Sequence, residues 1–188
     1  MATVRPFVCV RPASDLADKI AALPYDVYNR EEACEVVKGN KLSFLNIDRA
    51  ETQFDSSVDT YDERVYAKAK ELLESRIADG TFVTDEKAAY YIYELTMDGR
   101  AQTGIVACSS IDDYINNRIK KHENTREDKE QDRIRHVDTL DANTGPIFLT
   151  HRENKTVSDI TENWKNTHTP CYDFVSDDGV SQTVWVID

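Results

Sequence analysis

The segment from Lys120 to His136 holds the densest concentration of side chains that could perform acid–base or anion-binding chemistry. Between His122 and Arg133 it contains no apolar residue. In a helix, residues spaced by three or four positions lie on the same face. The spacing therefore predicts one basic stripe, made of His122, Arg126, Lys129, Arg133 and His136.

The stripe sets like charges next to each other, which an isolated helix disfavours. Lys129 lies four residues before Arg133, and Asp128 lies four residues before Asp132. Each such pair costs roughly a few tenths of a kcal/mol on a helix surface. Three interpretations stay open: a solvated helix face with ion pairs, a site that an anion neutralises, or a surface neutralised by buried carboxylates from elsewhere in the chain.

The same segment also permits a later helix start. Thr125, with Asp128 three residues on, could cap a new helix and leave residues 121–124 in a loop. His122 and Glu123 would then lie off the stripe, whereas the later basic residues would stay on it. The new N-terminus would add free backbone N–H groups beside them, a geometry that favours phosphate.

The residue types indicate roles at such a site. Arginine holds phosphate oxygens through paired hydrogen bonds and lysine acts as a point charge. The predicted anion-binding residues of this segment are Lys121, Arg126, Lys129 and Arg133. Histidine titrates near neutral pH, and an adjacent carboxylate can orient it, act as a base or hold Mg²⁺. The predicted catalytic residues are His122, Glu123, Asp132 and His136.

Two turn segments supply further ligand-binding candidates. Asp26 follows Pro24-Tyr25, where an aspartate more often bonds to its own backbone. Asn143 begins Asn143-Thr144-Gly145-Pro146, a loop that could line a ligand, although ordinary turn chemistry is the favoured interpretation. The sequence contains no Gly-Lys-Ser/Thr phosphate loop and no Gly-x-Ser-x-Gly nucleophile motif.

These residues must be positioned by elements that the hydrophobic pattern predicts. Helices are predicted at 14–22, 30–38, 61–78 and 111–119, and Asn29 with Glu32 fits a capping box for the second. A strand or extended arm is predicted at 4–10, and strands are predicted at 43–47, 89–96, 101–108, 147–150, 172–175 and 183–187. Turns at 97–100 and 177–179 make two antiparallel hairpins. The pattern predicts an α+β fold, a mostly antiparallel mixed sheet with packed helices.

Length and composition indicate one globular domain over residues 1–188, with 40% hydrophobic and 31% charged residues. The net charge of −12 disfavours nucleic acid and anionic membranes as partners. No apolar run approaches the roughly 20 residues that span a bilayer, and the N-terminus lacks a secretion signal. The four cysteines are far apart and are expected to stay reduced. We therefore predict a cytoplasmic protein without a metal centre.

Short motifs in order along the chain resemble the conserved prokaryotic family known as domain of unknown function 1015. The most specific stretch is His122-Glu123 with Arg126, Lys129-Glu130, Asp132-Arg133 and His136. The other motifs are Tyr25-Asp26-Val27, Gly39-Asn40 before Ser43-Phe44-Leu45, Gln102-Thr103-Gly104, Ile119-Lys120-Lys121, Asn143-Thr144-Gly145-Pro146, and Asp177-Asp178-Gly179 before Trp185.

The resemblance implies that this chain is the N-terminal part of a longer protein, which agrees with its abrupt end at Asp188. The remaining part of family members carries an Asp-Gly-His-His-Arg segment similar to that of ParB/sulfiredoxin-like proteins, a group that includes nucleotide-dependent kinases of free serine. This sequence contains no Gly-His-His-Arg. The resemblance thus implies ATP or ADP with Mg²⁺ as cofactors, a small metabolite as substrate, and no turnover by this chain alone.

Functions of two different classes remain after this reasoning. The first is the N-terminal part of a phosphotransferase that binds a small-molecule anion or nucleotide. The alternative is a non-catalytic ligand sensor or interaction module whose basic stripe docks an acidic ligand or a partner chain. A third hypothesis is that the stripe closes on the remaining half of the protein. The sequence predicts neither the substrate nor the oligomeric state.

Overall fold

The computed structural model describes residues 2–122 and 124–188. The strands are β1 Val4–Arg5, β2 Val10–Pro12, β3 Phe82–Thr84, β4 Tyr90–Met97, β5 Arg100–Val106, β6 Cys108–Ser109, β7 Tyr172–Val175 and β8 Ser181–Ile187. The helices are α1 Ala17–Ile20, α2 Arg30–Gly39, α3 Leu45–Asp48, α4 Glu63–Ala78, α5 Ile111–Ile115, α6 Glu127–Leu140 and α7 Lys155–Thr167, with a 3-10 helix at Ala50–Gln53. These elements confirm the α+β class.

The chain divides into two compact units, each made of separate segments. The helical unit comprises Asp15–Val83 and residues 124–145, and the sheet unit comprises residues 2–14, Thr84–His122 and Pro146–Asp188. That the whole chain folds as one domain stays a prediction. No helix in the described part of the chain is both long and apolar enough to cross a membrane.

The helical unit is organised around α4 and α6, which pack against each other. Along α4 the apolar positions Val65, Ala69 and Leu73 recur every four residues and are buried, as amphipathic spacing predicts. Leu140 at the end of α6 joins the same core. The α4 helix stops before Gly80, whose φ of 82° suits a residue without a β-carbon.

Capping residues fix the start of α2. The Asn29 side chain accepts a hydrogen bond from the Glu32 backbone N–H at 3.0 Å, and the Glu32 carboxylate accepts one from the Asn29 N–H at 2.9 Å. This reciprocal pair is the predicted capping box, and it satisfies backbone donors that the first turn leaves free. The predicted helix at 30–38 is confirmed to within one residue.

The sheet unit centres on a four-stranded antiparallel sheet with the order β5-β4-β8-β7. The β4–β5 hairpin turns at Asp98 and Gly99, whose φ values of 52° and 76° are those of a hairpin turn with left-handed residues. The α7 helix packs on this sheet through Trp164, whose Nε1 donates to the Val186 carbonyl at 3.0 Å. Both predicted hairpins are confirmed.

Two predicted strands are wrong. Residues 43–47 lead into helix α3, because Asn40 accepts from the N–H of Ser43 at 3.2 Å and Ser43 Oγ accepts from the N–H of Leu45 at 3.3 Å. These side-chain acceptors start a helical turn where the apolar residues alone suggested a strand. Residues 147–150 are described and form no strand; Ile147 is 77% exposed.

Three helices also differ from the sequence analysis. Helix α5 ends at Ile115 and not at Ile119. Helix α1 is shorter than predicted, since its N-cap is Leu16 and not Ser14. Helix α7 was not predicted at all, although Asn154 caps it by accepting from the N–H groups of Thr156 and Val157 at 3.1 and 3.3 Å. The sequence carried that signal, an asparagine before an amphipathic segment.

Candidate ligand-binding pocket

A cavity of about 330 Å³ lies within the helical unit. Its walls come from the turn after α1, from α3 and the following 3-10 helix, and from facing surfaces of α4 and α6. All of its lining residues belong to this one unit. They are Tyr25, Asp26, Tyr28, Asn29, Ile47, Asp48, Arg49, Ala50, Glu51, Thr60, Tyr61, Val65, Tyr66, Ala69, Lys129, Asp132, Arg133 and His136.

The floor of the pocket holds a histidine next to a carboxylate. His136 lies on the buried face of α6, four residues after Asp132 and four before Leu140, and is 3% exposed. Its Nε2 is 3.5 Å from Asp48 Oδ1 and has no hydrogen-bond partner among the described residues. Thr144 Oγ1 donates to the same Asp48 oxygen at 2.9 Å, so a third side chain holds the carboxylate in place.

A second cluster joins α4, α6 and the turn after α1. Tyr66 donates to Asp132 Oδ1 at 2.8 Å, and Arg133 donates to Asp132 Oδ2 through Nε at 3.1 Å and Nη2 at 2.9 Å. The Arg133 guanidinium carbon lies 4.3 Å from the ring centroid of Tyr25, a cation–π contact. Burial, and then the bond to Asp132, raise the pKa of the Tyr66 hydroxyl.

Arg49 and Glu51 form a structural ion pair in the wall. Arg49 Nε is 2.6 Å from Glu51 Oε1, and Glu51 is 2% exposed. The Arg49 guanidinium also donates to the carbonyls of Tyr25 at 2.8 Å and Tyr28 at 2.6 Å. Through Nε and Nη1 this arginine fixes the turn that carries Tyr25.

Lys129 supplies an exposed cation at the pocket. Its Nζ lies 3.4 Å from the Tyr61 hydroxyl and 5.9 Å from the centroid of that ring. Within the part of the chain that the structure describes, no carboxylate oxygen lies within 4.0 Å of this ammonium. Lys129 therefore keeps a positive charge that a bound anion could neutralise.

The structure brings five of the predicted site residues to this pocket. Asp26, Lys129, Asp132, Arg133 and His136 all line it. The stripe predicted like charges side by side. In the structure each of these cations has another neighbour: Asp132 pairs with Arg133, and Tyr61 contacts Lys129. The neutralising carboxylate of Arg133 is thus its own neighbour in the helix and not a group from elsewhere in the chain.

The other predicted residues that the structure describes do not line the pocket. Helix α6 begins at Glu127 with Arg126 as its N-cap, so His122 is off the stripe and Thr125 is not the cap. Arg126 pairs with Asp128 at 2.8 Å on the surface. Lys121 Nζ lies 5.2 Å from the ring centroid of Tyr114 in the sheet unit. Asn143 is exposed, and Glu123 lies outside the described residues.

The sequence does not predict four polar residues that line the pocket, namely Tyr25, Asp48, Tyr61 and Tyr66, nor Thr144, which bonds to Asp48. Asp48 follows a segment that the sequence predicts as a strand. Tyr66 lies in a helix whose apolar pattern predicts packing and no role in binding. Thr144 belongs to the same predicted loop as Asn143, but Thr144, and not Asn143, bonds to Asp48. In residues 2–122 and 124–188 no group of three or more His, Cys, Asp and Glu side chains could hold a metal ion.

The fold and this cavity define an α+β protein with a candidate small-ligand pocket in its helical unit. Residues 4–188 match the family described as "Protein of unknown function (DUF1015)", and the chain belongs to that family. The family resemblance seen in the sequence is therefore confirmed, whereas the similarity to ParB/sulfiredoxin-like proteins stays a prediction. No curated protein and no solved structure matches the chain.

Proposed function

We propose that the helical unit binds a small metabolite through a phosphate or similar anionic group, and that this ligand takes part in nucleotide-dependent phosphoryl transfer. One observation carries the proposal. Lys129, without a carboxylate partner in the described residues, and Arg133 line the same cavity as His136, whose buried Nε2 lacks a partner among those residues. Buried polar atoms in proteins are satisfied with few exceptions, and an exception on a residue that lines a cavity points to a ligand group.

Size and chemistry support this assignment. A cavity of about 330 Å³ falls at the lower end of the range for small-molecule sites, which start at roughly 300 Å³. In phosphoryl transfer the protein mainly positions the groups and neutralises charge. Positive charge comes from Lys129 and from the part of the Arg133 guanidinium that does not bond to Asp132. Asp48 supplies a carboxylate, and His136 supplies an imidazole. Mg²⁺ would arrive with the phosphates of the nucleotide, as is usual for this ion.

Thermal unfolding in the presence of phosphate tests the binding. Inorganic phosphate, ADP and ATP with Mg²⁺ are added at constant ionic strength, and a ligand at 100 times its Kd adds about 2.7 kcal/mol of stability. Arg133→Ala should weaken the response at least severalfold. Arg135→Ala is the matched control, because Arg135 lies on the same helix, is exposed and does not line the cavity. Absence of any response to all three compounds contradicts the proposal.

Ligand sensing without chemistry is a second candidate function. It is favoured by the two internal ion pairs, Arg133–Asp132 and Arg49–Glu51, which leave few of the pocket's charges for a reacting group. Comparing ATP with phosphate separates the two functions. Stabilisation by ATP and Mg²⁺ beyond that of phosphate at equal concentration supports phosphoryl transfer, whereas equal responses support a sensor of the phosphate-bearing metabolite.

A further inference from the structure

The side chains of His136 and Asp48 indicate which group the ligand carries besides its phosphate. We infer that the ligand is a hydroxylated phosphate compound, whose alcohol group binds to both His136 Nε2 and Asp48 Oδ1. This inference rests on the proposed function and specifies its substrate class. The chemistry is that of a phosphorylated polyol or sugar, and not that of a simple alkyl phosphate or of inorganic phosphate.

The geometry of the two atoms carries the inference. They are 3.5 Å apart and do not form a hydrogen bond; the His136 side chain lines the cavity and is 3% exposed, and its Nε2 is buried. Asp48 cannot turn towards the ring freely, because Thr144 Oγ1 donates to the same oxygen at 2.9 Å. The carboxylate is thus held at a distance that leaves the imidazole nitrogen without a hydrogen bond among the described residues, and a ligand in the cavity that His136 lines can supply one.

A hydroxyl group satisfies both atoms at once. It donates its proton to the Asp48 carboxylate and accepts a hydrogen bond from the Nε2–H of His136. A phosphate oxygen lacks the donor and would lie against the Asp48 carboxylate, which repels it. A phosphate is better placed towards Lys129, which lies seven residues before His136 on the same helix.

A matched pair of probes tests the inference in the unmodified protein. Glycerol 1-phosphate and propyl phosphate share the phosphate and the three-carbon chain, and they differ only in the hydroxyl groups. We expect glycerol 1-phosphate to bind at least about tenfold more tightly by isothermal titration calorimetry, which corresponds to about 1.4 kcal/mol. A site built to bind a hydroxyl discriminates against the analogue that lacks it, because its polar groups then stay unpaired.

Variants assign the discrimination to the pocket floor. His136→Phe keeps an aromatic ring and loses Nε2, so the affinity ratio should fall to about one to two; Asp48→Ala is the second variant, should the first not fold. Lys129→Ala is the control, because it should lower both affinities by the same factor and leave their ratio unchanged.

Each result decides something different. Equal affinities of the two probes for the unmodified protein overturn the inference but leave phosphate binding, and hence the proposed function, intact. A tenfold preference that survives in both His136→Phe and Asp48→Ala also overturns it, since the hydroxyl would then be recognised elsewhere. Failure of both probes to bind overturns the inference together with the proposed function.

Discussion

The two units contain clusters of the same composition: a guanidinium, a carboxylate and two tyrosines. In the sheet unit, Arg11 Nε lies 2.8 Å from Asp85 Oδ1, and the Tyr91 hydroxyl donates to the other oxygen of that carboxylate. Arg11 also donates to the Tyr172 hydroxyl at 3.1 Å, and Tyr172 donates to the Pro12 carbonyl. Each of these hydrogen bonds therefore joins two groups of the protein.

The cluster of the helical unit has the same composition, but its residues line a cavity. Arg133 and Tyr66 both bond to Asp132, and Tyr25 stacks on the guanidinium. This cluster lines a cavity, and His136 lies one helical turn away with its Nε2 unpartnered among the described residues.

The comparison shows that residue types alone do not separate a structural cluster from a site. Both clusters pair a carboxylate, buried in Asp132 and half-buried in Asp85, with arginine and tyrosine, and the same forces hold both. The clusters differ in the polar groups around them. In the sheet unit, the donors and acceptors named above bond to other protein groups. Among the described residues of the pocket, the Lys129 ammonium has no carboxylate partner and the His136 Nε2 has no hydrogen-bond partner. The following changes test that difference, from the largest expected effect to the smallest.

Asp85→Ala should lower the free energy of unfolding by roughly 3–5 kcal/mol, because removing one partner leaves a largely buried charge without compensation. The side chains of Arg11 and Asp85 are only 21% and 13% exposed. Urea unfolding followed by circular dichroism measures the loss. Phosphate binding by the folded variant should stay unchanged, since Asp85 does not line the pocket.

A surface aspartate provides the control for this change. Asp159 pairs with Lys155 at 2.8 Å, with side chains 62% and 84% exposed. Asp159→Ala should therefore change stability by no more than about 0.5 kcal/mol. A loss of similar size in both variants would contradict the structural role assigned to the Arg11–Asp85 cluster.

Tyr66→Phe should have a smaller effect on stability and a distinct effect on binding. The variant loses one hydrogen bond to a carboxylate, for which about 1.5–3 kcal/mol is typical, and Asp132 loses the donor that fixes it. Arg133 is then held less firmly, so phosphate affinity should also fall. Tyr91→Phe in the sheet unit is the matched change; it should cost comparable stability and leave affinity unaltered. Equal effects on affinity would remove the distinction between the two clusters.

Local signals account for the parts of the fold that the sequence predicts. The capping box at Asn29 and Glu32 and the left-handed turn at Asp98 and Gly99 depend on neighbours a few residues apart, and both are present. The segment 43–47 was misread because a short apolar run fits a strand or a buried helix equally well. Side-chain acceptors at Asn40 and Ser43 decided between them.

The same distinction applies to the pocket. Helical spacing placed Lys129, Arg133 and His136 on one face, and the structure brings all three to the cavity. Their partners come from distant parts of the chain: Tyr66 is 66 residues from Asp132, and Thr144 is 96 residues from Asp48. No local pattern encodes such contacts, because they depend on how the helices pack.

Alkaline pH should weaken both clusters in the same way. Burial and a carboxylate partner raise the pKa of Tyr66 and of Tyr91, so the folded protein keeps these protons more strongly than the unfolded chain does. Their contribution is complete below the unfolded tyrosine pKa of about 10 and is lost as pH rises beyond it. Plotted against pH from 9 upward, the free energy of unfolding should fall less steeply in Tyr66→Phe and in Tyr91→Phe than in the unmodified protein. Identical slopes would show that these hydroxyls titrate as they do in the unfolded state.

The smallest expected change in stability belongs to Lys129→Ala, and it isolates the feature that only the pocket has. Lys129 and Arg126 are both exposed cations of the same helical segment, but Arg126 pairs with Asp128 at 2.8 Å and lies outside the pocket lining. Neither Lys129→Ala nor Arg126→Ala should alter stability without ligand by more than about 0.5 kcal/mol.

The two variants should separate when phosphate is added. Both remove one positive charge, so long-range attraction of the anion falls equally in each, and salt screens that contribution. Only Lys129→Ala also removes a cation at the cavity, and its phosphate affinity should drop about tenfold, equivalent to about 1.4 kcal/mol. Titration calorimetry at two ionic strengths measures both effects. If the two affinities fell together and the difference from the unmodified protein vanished at high salt, Lys129 would act through general charge and not as a ligand-binding residue.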